Sequence, residues 1–305
     1  MKAFYALMHR ELIEHRGAFL TGPLLLLGLI FGLVVLAFTV GRVDVHLSGA
    51  VLTVVPLVVY ELGFLGLGVG WSLYLAATLF FYAADGFAAD KRNNAMLFWK
   101  SMPVSDFRVL LSKLVAAITL LPLTVFGVVL LSGVLLFAVA FVTMLINGTA
   151  GFGALGAIVA IYAQVALALF AVLVAGLLWY LPFIALVGAI ATLVGRWAIP
   201  IALLLPTILS ALEWVTLGGL HPFATRTWAF VEYRTAPPST NYADSWIASL
   251  GDRFEPNLSA TRFDGIAFSG DLLGGLDWMQ VGLGAVFALV TIYLASEYRR
   301  RVNDN

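Results

Sequence analysis

Of 305 residues, 62% are hydrophobic and 11% charged, and the mean hydropathy is +1.00. Soluble domains average roughly 45–50% apolar and about 25% charged, and a chain of this size leaves too much surface exposed to hide such an excess in one globular core. The formal charge is zero, which excludes a global basic field for nucleic acid, and the absence of cysteine excludes disulfides and thiolate metal or redox chemistry. Lipid is the solvent this chain suits.

Residues 1–17 carry Glu11 and Glu14 among their basic residues. The apolar run behind them is too long for a signal-peptide core and ends without a small-x-small cleavage site, so it is read as a retained first span. At 100° per residue Phe4, Tyr5, Leu7, Met8 and Leu12 share one arc, with Arg10 and Glu14 off it. That pattern predicts an interfacial amphipathic helix. Glu11 and His15 intrude on the apolar arc.

A membrane helix needs roughly 20 apolar residues. The first span is placed at 18–40. A long apolar stretch over 47–89, interrupted by Pro56, Glu61 and Asp85, places the second at 66–88, with the part before Gly66 as its extended outer end or a re-entrant piece. Residues 90–113 are polar and basic. The third span is 114–137, running on apolar to Leu145 before the turn signal Asn147-Gly148. The fourth is 158–180, followed by an inner segment 181–197 bounded by Pro182 and Pro200; the fifth is 198–217. Residues 221–277, 57 in all, are mixed and soluble-looking. The sixth span is 278–298, and 299–305 open with Arg299, Arg300 and Arg301. The whole chain is thus an all-α polytopic membrane domain with six transmembrane helices, its five leading spans within 18–220. Gly28-x-x-x-Gly32 and Gly66-x-x-x-Gly70 either let helices approach closely or reflect how common glycine is in membrane helices.

Basic residues accumulate on cytoplasmic loops. With both termini inside, 12 of the 17 Lys and Arg fall inside and five (Arg42, Arg226, Arg234, Arg253, Arg262) outside. A seventh span within 153–220 would keep the long loop inside and put the terminal arginine triplet outside. Six spans fit better, which makes 221–277 an extracytoplasmic loop.

No G-x-x-x-x-G-K-[ST] phosphate loop and no H-E-x-x-H occur, so no catalytic residue, cofactor site or metal site is assigned. Intramembrane acids are costly and are functional candidates by default; Glu61, Asp85 and Glu213 are the three. Asp85, about one turn before Asp90, reads as interfacial, pairing with Arg92 or capping. Glu61 and Glu213 map to outer ends of their spans, either as hydrated or paired structural groups or as proton-coupling or substrate-contacting ones.

The most informative stretch is 88–113. A basic loop encloses Ala95-Met-Leu-Phe-Trp99, a cluster too short to span. Large apolar side chains on a charged loop need a partner, lipid headgroups or protein. Pro103 breaks the chain, and Ser105-Asp106 is a candidate N-cap for the next helix.

This stretch resembles the inner loop of ABC transporter permeases of the ABC-2 type, with a "D-[KR]-R…LFWKS-[LM]-P-V-S-D…LSK" pattern between spans two and three. The matching residues are Asp90, Lys91, Arg92, Leu97, Phe98, Trp99, Lys100, Ser101, Met102, Pro103, Val104, Ser105, Asp106, Leu111, Ser112 and Lys113. Residues 10–17 (REL-IEHRG) are similar to that family's elbow helix, and Leu178-Trp179-Tyr180-Leu181-Pro182 to the end of its fourth span. The resemblance covers the whole chain in span count and order. It implies a permease subunit of an exporter in a bacterial inner membrane, both termini cytoplasmic. It also implies a second permease chain, identical or paralogous, and separate ATPase subunits that bind ATP and Mg. A coupling helix over 94–105 would seat on the ATPase through Asn94, Met96, Leu97, Phe98, Trp99, Lys100, Ser101, Met102, Pro103 and Ser105. The apolar spans suit an amphipathic peptide, a lipid-like molecule or a hydrophobic drug. Rival readings are an ion-coupled secondary carrier using Glu61 and Glu213, for which no paired repeat is visible, and an enzyme or scaffold whose outer loop docks a partner.

The native chain has no cysteine, so single cysteines report topology directly. A cysteine replacing Ser239 is expected to react with an impermeant thiol reagent in intact cells, and one replacing Ser105 only after lysis. The reverse pattern would contradict the orientation.

Overall fold

The computed structural model describes residues 2–40, 51–92, 105–146, 148, 151–218, 221–236, 241–248 and 263–304. Among the described residues there is no strand. Helix α1 (Lys2–Glu14) leads through a π-helical turn (Gly17–Thr21) into α2 (Gly22–Thr39). Helix α3 (Val51–Arg92) is followed by α4 (Asp106–Ile118), α5 (Leu120–Ile146) and α6 (Phe152–Val194). A 3-10 turn (Gly195–Trp197) leads to α7 (Ala198–Leu217). The short α8 (Arg226–Thr235), α9 (Asn241–Ala248) and α10 (Gly265–Gly275) precede α11 (Trp278–Asp304).

Among the described residues, six helices or helix pairs are long and apolar enough to cross a membrane: Gly17–Thr39, Leu57–Ala89, Asp106–Ile146, Leu155–Val194, Ala198–Leu217 and Trp278–Arg301. The chain is an all-helical, multi-pass membrane protein in this sense. The first and fifth spans fall where composition puts them. The others are longer. The second does not begin at Gly66: α3 is one helix from Val51, so the earlier part is an extension and not a re-entrant piece. The fourth span and the segment 181–197 do not separate at Pro182, because α6 carries that proline inside a continuous helix. A proline removes one backbone donor and crowds the carbonyl four residues back, a cost that neighbouring helices offset here by burying Leu181, Ile184 and Ala185. Pro122 acts differently. It withdraws the donor that would serve Ile118, and the helix breaks at Thr119 (φ −128°, ψ −80°). Gly195, at φ +60°, closes α6 in a conformation that side chains rarely adopt.

The directions follow from paired side chains. Phe64 stacks on Tyr162 and Phe87 lies against Gly188, so α3 and α6 run parallel. Gly265 abuts the Gln164 carbonyl and Gly284 meets Pro182, so α10 and then α11 track α6 in the same direction, with a break at Leu276 and Asp277. The α4–α5 pair is antiparallel to α3: Tyr82 bonds the Lys113 carbonyl, and Trp71 donates to Ser132 at 2.9 Å. Two of the three buried clusters among the described residues fill most of this frame. One joins Phe19, Tyr82, Phe87, Leu110, Ile184 and Ile292; the other joins Leu27, Phe64, Trp71, Met144, Ile158 and Phe263.

Within 221–277 the described residues form three short helices. Their described helices pack back onto the bundle: α10 lies along α6, and α8 lies against α7 and α6. Helix α8 begins at Thr225, whose hydroxyl accepts from Trp228 N, and Asp264 caps α10 by accepting from Ile266 N and Ala267 N at 3.0 Å.

The close helix approaches use other glycines than the sequence suggests. Gly28, Gly32, Gly66 and Gly70 face open space within the chain, whereas a Cβ on Gly133 would enter the Phe64 ring. Gly133→Ala is therefore expected to destabilise the folded chain by about 1–3 kcal/mol through overpacking. Gly66→Ala should leave the thermal midpoint unchanged or slightly raised. Equal midpoints for the two variants would contradict this packing.

Candidate functional site

Helix α1 packs with Phe4, Leu7, Met8, Glu11, Leu12 and His15 turned inward, spacings that mark one helical face. The two residues that spoil its apolar arc are therefore on the face that docks. Glu11 is 3% exposed, and its Oε1 lies 3.0 Å from Nζ of Lys113 on α4, itself 2% exposed. Tyr82 of α3 donates its hydroxyl to Glu11 Oε2 at 2.9 Å, and Lys113 donates to the Gly86 carbonyl at 2.9 Å. His15 stands edge-on to the Tyr82 ring with centroids 4.7 Å apart, its Nε2 3.8 Å from Glu11. Three elements thus meet on one buried ion pair. Burying two charges costs several kcal/mol each, and attraction repays it only when geometry and accessory hydrogen bonds are good; both are present here.

A second ion pair lies at the same end of the bundle. Arg299 of α11, 5% exposed, approaches Asp106 at 3.2 Å, at the first residue of α4. Phe107 and Tyr293 pack alongside, with ring centroids 6.1 Å apart. Helix α1, helix α11 and the described residues on either side of 93–104 are consequently fixed together. We call this the charged end.

The opposite end uses carboxylates differently. Glu61, 2% exposed on α3, accepts from the backbone N–H of Phe263 at 3.2 Å. Glu213 of α7 accepts from Arg226 N at 3.0 Å and Thr227 N at 2.9 Å. Asp271 accepts from Tyr242 N at 3.0 Å. Each carboxylate satisfies donors at a helix start or turn, where orphan N–H groups favour negative charge. Along α3 the Glu61 and Tyr82 levels are 21 residues apart, about 32 Å at 1.5 Å per residue. That is close to the thickness of a bilayer's hydrocarbon core, about 30 Å.

Of the sequence candidates, Asp85 is exposed near the charged end and acts on His15 through its field. Ser105 is exposed and extended, and it precedes α4 as its N-cap without a side-chain capping bond; its carbonyl accepts from Val109 N. Asn94, Met96, Leu97, Phe98, Trp99, Lys100, Ser101, Met102 and Pro103 lie outside the described residues. The structure does not bring Glu61, Asp85 and Glu213 into one site: Glu61 and Asp85 stand at opposite ends of α3, and Glu213 serves α8. Sequence reasoning passed over the Glu11–Lys113 pair. The signal was available in the acid that interrupts the apolar arc of residues 2–16. Among the described residues, no group of three His, Cys, Asp or Glu is arranged to hold a metal ion. Compared with family models, with curated proteins and with solved structures, the chain matches none.

Removing one partner of a buried pair strands the other charge. Lys113→Met or Glu11→Leu alone is expected to destabilise the chain by about 3–5 kcal/mol, and the double variant by less than either. A double variant as unstable as the sum would show two independent sites. Burial holds the His15 imidazole below its ordinary value of 6.5, against the opposing pull of Glu11. The unfolded chain then binds more protons as pH falls below about 6.5, so acid destabilises the fold over that window. A thermal midpoint measured from pH 7.5 to 5.5 should drop less in His15→Gln; identical slopes would exclude His15 as the source.

Proposed function

We propose that this chain is the permease subunit of an ATP-driven exporter of the ABC-2 type. It works as a pair of permease chains with two separate ATPase subunits that bind ATP and Mg. The observation that carries the reading is the basic, aromatic stretch 88–113, whose Leu97-Phe-Trp-Lys-Ser-Met-Pro-Val-Ser-Asp106 string resembles the coupling loop of that family. Support comes from what surrounds it. The loop leaves α3 just beyond the Tyr82 and Gly86 contacts and re-enters at Asp106, held by Arg299. A push on such a loop reaches α1, α3, α4 and α11 together, because buried pairs leave little slack between them. In this reading α1 is the elbow helix and residues 94–105 the coupling helix. The charged end then faces the cytoplasm of a bacterial cell, as the distribution of Lys and Arg favours.

A secondary carrier would need Glu61 or Glu213 free to exchange an ion. Both are instead engaged with backbone donors of the 221–277 segment, which favours the exporter. The chain carries no phosphate loop of its own, so the driving ATPase is a separate subunit.

Buried aromatic anchors at an interface cost about 2 kcal/mol or more on truncation, whereas rim charges cost little. Phe98→Ala and Trp99→Ala are therefore expected to lose co-purification of the ATPase and to abolish export, with Lys100→Ala milder. A loop that lies only on lipid gives another order, in which Lys91 and Arg92 matter through anionic headgroups at about 1 kcal/mol each. Full recovery of the ATPase with both aromatic variants would overturn the coupling assignment.

A further inference from the structure

Arg234, the ninth residue of α8, is 2% exposed, although its neighbours Tyr233 and Thr235 are exposed. Its guanidinium carbon stands 4.2 Å from the centre of the Trp179 ring, a cation–π distance. Its Nη2 donates to the Gln280 carbonyl at 3.3 Å. The slot exists because α11 has no side chain at Gly284: a Cβ there would run into Nη2. Two donors of α6 hold the end of α8 in place, Trp179 Nε1 to the Arg234 carbonyl and Tyr180 hydroxyl to the Thr235 carbonyl, each at 3.0 Å.

The remaining terminal nitrogen is unusual. Nη1 of Arg234 is buried and has no hydrogen-bond partner. No carboxylate lies within ion-pair distance among the described residues. Asp277, at the break between α10 and α11, accepts from Tyr233 hydroxyl at 3.4 Å and Gln280 N at 3.1 Å instead.

Gln164 accepts from the backbone N–H of Ile266. Trp179 lies 15 residues farther along α6, about 22 Å towards the charged end. With Phe64 level with Tyr162 and Phe87 with Gly188, Trp179 falls near the Tyr82 level of α3, within about 6 Å of it along the helix. A buried cation is expensive unless something pairs with it. A guanidinium whose plane is fixed by an aromatic face presents its free N–H groups to a carboxylate or phosphate.

We propose that Arg234 is the recognition point for an oxyanion group, carboxylate or phosphate, carried into the bundle by an amphipathic molecule, with Trp179 as its backing. Nη1 is enclosed, so entry requires α8 to move relative to α6 and α11. As the headgroup determinant of exported substrate this site rests on the exporter reading; as a binding site it does not, and binding by the isolated chain is measured without any ATPase.

The purified full-length chain in phosphatidylcholine nanodiscs is titrated with dodecyl phosphate, inorganic phosphate and dodecanol, and the thermal midpoint is read. Dodecyl phosphate is expected to raise the midpoint saturably in the wild type and in Gly282→Ala, whose added methyl meets open space. Half-saturation should weaken at least about tenfold in Arg234→Gln and in Gly284→Ala, as expected for losing a hydrogen bond to a charged group. Gly284→Ala serves if Arg234→Gln fails to fold. An Arg234-dependent response to inorganic phosphate as strong as that to dodecyl phosphate would support the oxyanion site with a free anion as its source. An equal response to dodecanol, or a wild-type response in a folded Arg234→Gln or Gly284→Ala, would overturn the proposal.

Discussion

The buried pair between Glu11 and Lys113 is the constraint on which the charged end depends. A carboxylate and an ammonium removed from water are held only because each has further partners: Tyr82 hydroxyl on Glu11, and the Gly86 carbonyl on Lys113. Those partners come from α3, so the pair cannot form without three helices in register. Arg299 and Asp106 extend the arrangement to α11. Charge here does what aliphatic packing alone does poorly in a membrane protein, where lipid tails solvate apolar faces as well as another helix does. It selects one docking position for α1 on an otherwise permissive surface.

The opposite end obeys a different rule. Glu61, Glu213, Asp264 and Asp271 each take backbone N–H groups, so negative charge caps helices and turns there. The described parts of the segment between α7 and α11 are thereby joined to the bundle by their backbone, while Arg234, the one buried cation among those residues, has an aromatic face and a single carbonyl.

Much of the fold was legible in composition, because a hydrophobic stretch bounded by charge admits few structures in lipid. The span 198–217 coincides with α7, and the first span differs by a residue. The misreadings have local causes. Pro182 looks like a boundary but is carried inside α6, whereas Pro122, unnoticed, breaks the α4–α5 pair; which of the two outcomes applies depends on packing around the freed carbonyl, and sequence does not report that. Gly28-x-x-x-Gly32 and Gly66-x-x-x-Gly70 match a spacing, yet the tight contacts fall at single glycines opposite Phe64, Phe87 and Arg234. That Arg234, within the 221–277 segment, packs against Trp179 and α11 was not legible, since a short polar helix gives no sign of what it docks on. The Glu11–Lys113 pair was half visible, as an acid in an apolar arc and a lysine at the start of an apolar helix, separated by about a hundred residues.

The central claim, that this pair fixes α1 against the flank of the basic loop, is open to a direct distance measurement. With no native cysteine, spin labels can be placed at Ile13 and Arg108, both exposed, and their separation read by pulsed electron resonance in nanodiscs. A single narrow distance distribution is predicted for the otherwise wild-type chain, broadened in Lys113→Met and narrowed again in Glu11→Leu combined with Lys113→Met. A distribution that stays equally narrow in Lys113→Met would contradict the account.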